Sequence, residues 1–125
     1  MPHVEVRGGP PLRELQARFQ PATVSWDGAV LKTLASYLSS DERTLLLDCL
    51  TVEGHLRQSF FAILTQRETG IMVRLLPRTS PEKTPGVKRL VAWVARTVRT
   101  GHAGAEFGAT NLSDLLGSEG PPGVH

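Results

Sequence analysis

Asp48-Cys49, set inside the apolar run LLLDCL and followed by His55 and Arg57, is where this chain comes nearest to the parts of an active site. A thiol and an imidazole make a nucleophile when their side chains meet. On extended backbone, alternate residues point to opposite faces, so Cys49 and His55 project away from each other. Cys49 is therefore expected in the core as a small buried thiol. Asp48 is expected to share a face with Arg57, with a salt bridge or hydrogen bonds satisfying a half-buried carboxylate.

The remaining histidines, His3, His102 and His125, fall in Gly- and Pro-rich ends with no metal-ligand spacing. There is no phosphate-binding loop, dinucleotide fingerprint or nucleophile elbow. The expectation is a protein that is not an enzyme, with no cofactor, no metal and no identified small-molecule substrate.

Charge is the second chemical signal. Eight of the fourteen Lys and Arg lie between Arg67 and Arg99, opposed there only by Glu68 and Glu82. Residues 84–100 read as a helix, with Thr84 as cap and Pro85 in its first turn. Val87, Leu90, Val91, Val94 and Val98 form its apolar stripe. Lys88, Arg89, Arg96 and Arg99 take the other arc, Trp93 sits at its edge, and Lys83 flanks its start. Such a basic helix can hold phosphates or an acidic protein, and an Arg–Trp pair can stack on a base. After Arg99 come Glu106, Asp114 and Glu119 with no Lys or Arg, a tail able to fold back on that arc.

The elements that must carry these residues follow from periodicity. Leu12, Leu15 and Phe19 mark a short N-terminal helix that stops before Pro21. Ala22–Trp26 is a candidate extra edge strand. Asp27 then reads as the N-cap of a helix over 28–40, with Val30, Leu31, Leu34, Tyr37 and Leu38 on its apolar face. Arg43–Val52, His55–Gln66 and Ile71–Pro77 read as three strands joined by hairpins at Glu53-Gly54 and Arg67–Gly70.

The predicted fold is thus α+β: a three-stranded antiparallel meander, with two helices (28–40 and 86–100) on one face and a short N-terminal helix. Residues 1–11 are expected to be a flexible N-terminus, 12–100 a single domain, and 101–125 a flexible acidic Gly-rich tail. The hairpins predict Val52 opposite His55, hence Leu46 opposite Phe61 and Asp48 opposite Ser59. They also place Gln66 opposite Ile71.

Alternation then sorts the meander into two faces. One, with Leu45, Leu47, Cys49, Leu56, Phe60, Ala62, Leu64, Ile71, Val73 and Leu75, is the core face. The other mixes Leu46, Leu50, Phe61, Ile63, Met72 and Leu76 with Asp48, His55, Arg57, Ser59 and Arg74. A wholly solvated face carries fewer large apolar groups. The order helix, three strands, helix resembles, in architecture only, part of the dimeric profilin-like scaffolding modules of the roadblock type.

The expected function is that of a small non-catalytic interaction protein, a homodimer joined through Leu46, Phe61, Ile63, Met72 and Leu76. The alternative is nucleic-acid binding by Lys83, Lys88, Arg89, Trp93, Arg96 and Arg99. With one cysteine and no apolar run approaching a membrane span, a cytoplasmic setting without membrane contact is expected.

Overall fold

A computed structural model describes residues 2–76, 81–100, 102 and 104–117. The chain order is β1 (His3–Arg7), α1 (Leu12–Arg18), β2 (Ala22–Trp26), β3 (Ala29–Leu38), β4 (Thr44–Glu53), β5 (Leu56–Arg67), β6 (Gly70–Leu75), α2 (Pro85–Thr100), β7 (Glu106–Thr110) and α3 (Ser113–Gly117). The strands form one seven-stranded antiparallel sheet in the order β2-β3-β4-β5-β6-β1-β7. It curls into a half-barrel, with α2 packed on its inner face. The expected α+β meander of three strands with two helices on one face is therefore replaced by a mainly β architecture, and the likeness to roadblock modules falls with it.

The decisive difference is β3. Residues 29–38, expected inside a helix, pair with β4 from Ala29 to Leu38 and with β2 from Ala29 to Thr33. Asp27 and Gly28 both take positive φ, 49° and 83°, and close a two-residue hairpin between Trp26 and Ala29. Asp-Gly is the dipeptide such turns favour, so Asp27 starts a strand and not a helix. The helix-like spacing has a cause: the register shifts between Thr33 and Ala35. Before this bulge Ala29, Leu31 and Thr33 point inward. After it Ser36 and Leu38 lie opposite the inward-facing Leu47 and Leu45. One extra residue turns a period of two into a spacing that imitates 3.6.

The ends also join the sheet. Residues 3–7, expected in a flexible N-terminus, form an interior strand between β6 and β7. Val4 and Val6 are fully buried. Part of the expected tail forms β7 and α3, whose Phe107, Leu115 and Leu116 pack on the core, and Leu112 between them is buried in it. Glu119 and His125 lie outside the described residues, as does Arg78.

The meander of β4, β5 and β6 is present, with its first hairpin moved one residue along the chain. Glu53 pairs with Leu56, so Gly54-His55 makes the turn and Gly54 supplies φ 59°. Leu46 consequently faces Ile63 and Asp48 faces Phe61, in place of the predicted Phe61 and Ser59. The slip is two residues, an even number, so each side chain keeps its expected face. The second hairpin has the predicted register, Gln66 opposite Ile71. Gly70 has a further role: a Cβ there would sit 2.2 Å from the Val6 carbonyl oxygen, because β1 passes against it.

The inner face holds the core. All the expected members are buried except Leu56, which is 36% exposed at the turn. Gln58, its polar member, accepts from the Glu82 backbone N–H at 2.8 Å and donates to the Glu82 carbonyl at 3.2 Å. This fixes the segment that leads into α2.

Candidate functional site

Alternation puts a continuous second surface on the outside of the curled sheet. Cross-strand partners form rows there. One row runs Tyr37, Leu46, Ile63, Arg74, His3; the next runs Ala35, Asp48, Phe61 and continues to Leu76, whose N–H donates to the Phe61 carbonyl. Met72 lies beside Thr65 and Glu5. The five residues expected on this face, Leu46, Phe61, Ile63, Met72 and Leu76, are all half-buried and lie together, four on β4, β5 and β6 and Leu76 just past the end of β6. None of them belongs to the core cluster, nor does the buried Leu50 beside them.

The helices explain why. Leu12, Leu15 and Phe19 of the α1 region, the apolar side of α2, and Leu115 and Leu116 of α3 all pack on the inner core. Among the described residues no helix is left to lie on the outer face.

Two charged groups stand in this apolar field. Asp48 on β4 and Arg74 on β6 are both half-buried. Among the described residues the Asp48 carboxylate makes no hydrogen bond or ion pair, and the buried Arg74 Nε has no acceptor. The expected Asp48–Arg57 pairing does not form, because Arg57 lies opposite Val52, four residues along β4 from Asp48. Tyr37, 55% exposed, belongs to the same surface. Sequence reasoning missed it by placing it on a helix; the Asp27-Gly28 turn was the available signal.

The residues of the alternative site are in different circumstances. The helix over 84–100 is present, but its expected exposed basic arc is not. Ala92, Trp93 and Ala95 are buried, and nine of its sixteen residues are. Arg89 reaches the Asp27 carboxylate at 3.8 Å and is only 20% exposed. Arg96 donates to the Leu115 carbonyl at 2.8 Å and lies over the Trp26 ring, 5.8 Å from its centre. Arg99 covers the Phe107 ring at 4.7 Å. Lys83 and Lys88 are exposed and line a groove of about 390 Å³ with Pro2, Asn111, Leu112 and Asp114.

The start of α2 is also occupied. The Glu53 carboxylate accepts from the Gly86 N–H at 2.8 Å and from the Thr84 hydroxyl, which in turn accepts from the Val87 N–H. The free N–H groups that favour an anion at a helix start are met here by the chain's own side chain.

Cys49 is buried, and its Sγ donates to the Leu47 carbonyl at 3.2 Å. Burial pushes its thiol up to about 12, with the Asp48 charge adding to the rise and a backbone hydrogen bond at Ala62 opposing it. His55 is in the turn after β4, exposed and away from Cys49. Among the described residues no three His, Cys, Asp or Glu gather as metal ligands, and no helix is long and apolar enough to cross a membrane.

Comparison with protein-family models, curated proteins and solved structures finds no significant match.

Proposed function

We propose that this chain is a non-catalytic interaction protein that self-associates through the outer face of its sheet. One observation carries the reading: the described helices spend their apolar sides on the inner face, while Leu46, Phe61, Ile63, Met72 and Leu76 remain outside that core on a second surface. An apolar patch rimmed by polar residues is the usual form of a protein contact surface. A second copy brings an identical face, so one sequence supplies both halves of the interface. The solitary buried thiol suits a reducing, cytosolic setting.

Sedimentation equilibrium at ~50 μM, a concentration that fills a micromolar dimer, tests the reading. The wild-type chain is expected to be dimeric, and Ile63→Glu, which sets a charge at the centre of the face, monomeric with an unchanged circular dichroism spectrum. A monomeric wild type, or a dimer untouched by Ile63→Glu, overturns it.

A further inference from the structure

Resting on that reading, we infer the arrangement of the two copies: Asp48 of each pairs with Arg74 of the other across a two-fold axis that crosses β5 between Phe61 and Ile63. Asp48 lies in the Phe61 row on β4, and Arg74 in the Ile63 row on β6. Their Cα atoms are thus two strand spacings and one two-residue step apart, about 12 Å. Phe61 and Ile63 stand between them, and within one chain neither finds the other.

The buried Arg74 Nε has no acceptor among the described residues, and a guanidinium so placed gains from an opposite charge; the half-buried Asp48 is an acidic group of the same face. The other charges of this face do not supply it. Glu5 is held by Arg7 at 3.0 Å and by the Thr69 hydroxyl at 2.8 Å. Lys32, opposite Leu50 and so one two-residue step along β4 from Asp48, and Arg57, opposite Val52, form an ion pair with neither group among the described residues.

Symmetry then does the rest. When two sheets meet face to face, a two-fold axis lies in the plane between them. If that axis bisects the Asp48–Arg74 line at right angles, it exchanges the two ends. One Asp48–Arg74 bridge therefore implies its twin, giving the closed, self-complementary contact of a dimer. The midpoint of the line is on β5, between Phe61 and Ile63, the most apolar part of the face. The axis runs about 35° from the strands, so strands of the two copies cross at about 70°, near the orthogonal class of sheet packing. Leu46 and Leu76, on the other diagonal, fall close to the axis. Each therefore meets its own counterpart in the second copy.

The test is a charge exchange, read as the dimer dissociation constant by sedimentation. Asp48→Arg and Arg74→Asp each set like charges against each other twice, and each should weaken the dimer by roughly 10-fold or more. The double variant restores opposite charges and should return to within about 3-fold of wild type. Leu46→Cys supplies an independent readout, because a residue beside the axis should cross-link to itself on mild oxidation. If the single variants dimerise normally and Leu46→Cys stays monomeric in a denaturing gel, this arrangement is wrong. If Ile63→Glu still breaks the dimer in that case, the outer face remains the contact and only its geometry fails.

Discussion

Glu53, the last residue of β4, accepts a hydrogen bond from the backbone N–H of Gly86 in the first turn of α2, at 2.8 Å. The same carboxylate receives the Thr84 hydroxyl. One side chain from the sheet thus caps the helix that fills the half-barrel, 33 residues later in sequence. The contact is tight: a Cβ on Gly86 would fall 2.4 Å from Glu53 Cδ.

Glu53→Ala should lower stability by about 1–2 kcal/mol, the usual cost of losing a charge-assisted cap. Gly86→Ala should also destabilise the wild type, since alanine's helix preference cannot be realised against the Glu53 carboxylate. In the Glu53→Ala background the collision is gone, so the same change should become neutral or stabilising. Denaturant unfolding of the four proteins of this cycle measures the coupling. Additive effects would show that the two residues do not meet.

Arg96 ties α2 to two elements at once, through the Leu115 carbonyl and the Trp26 ring. Arg96→Glu removes both contacts and places a carboxylate against a carbonyl. A loss of about 1–3 kcal/mol in unfolding free energy is expected, the range for a hydrogen bond to a charged group. Arg99→Glu, at an exposed position over Phe107, should cost under ~1 kcal/mol. Equal effects of the two changes would mean that Arg96 behaves as a solvated surface group.

These contacts show how much of the fold was legible in the chain. The two faces of β4–β6 and the apolar stripe of α2 were readable, because strict alternation and a sustained helical period leave strong marks. An error of register at Gly54 did no harm to the faces, since it was even. β3 was misread because the bulge at Leu34 interrupts its alternation and imitates a helix. His3–Arg7 and Glu106–Thr110 were misread for another reason. Each strand is five residues long, and each finds its partner far away in sequence, β1 at Gly70–Arg74 and β7 at the opposite end of the chain. Local pattern carries no trace of such pairing. The outer-face residues were legible as a set. Tyr37 was not, because its membership depends on β3.

Stability toward acid should depend on Glu5. Its carboxylate is held below the usual range first by the Arg7 guanidinium, then by the Thr69 hydroxyl, with the Ala109 N–H adding and burial opposing. A group depressed in the folded state stabilises it fully above the unfolded value, ~4.3 for Glu, and loses that contribution as pH falls through the lower folded value. Asp41, held down by the Ser39 hydroxyl and the Arg43 N–H, acts in the same sense. Glu5→Gln should therefore reduce stability at pH 7 and flatten the decline at acid pH. Urea unfolding at a series of pH values from 7 downward reads both. A parallel decline in variant and wild type would place the acid sensitivity elsewhere.

Cys49 offers a probe of the whole fold. Thiol reagents attack the thiolate, and here the thiol is both buried and pushed up to about 12. Native protein has neither access nor a useful thiolate fraction near pH 8, so labelling requires opening. β4 is an interior strand, paired along its length with β3 and β5, and it does not fray separately from the sheet. The labelling rate should thus report global unfolding, at least ~1000-fold slower than in denaturant for a fold of ordinary stability. Cys49 points to the inner core while the proposed contact lies on the outer face. Self-association can then slow labelling only by stabilising the folded chain, through mass action. The rate should accordingly fall as protein concentration rises through the dimer range, and Ile63→Glu should abolish that dependence. Rapid labelling of a fully folded chain would instead show that the core around Cys49 is open.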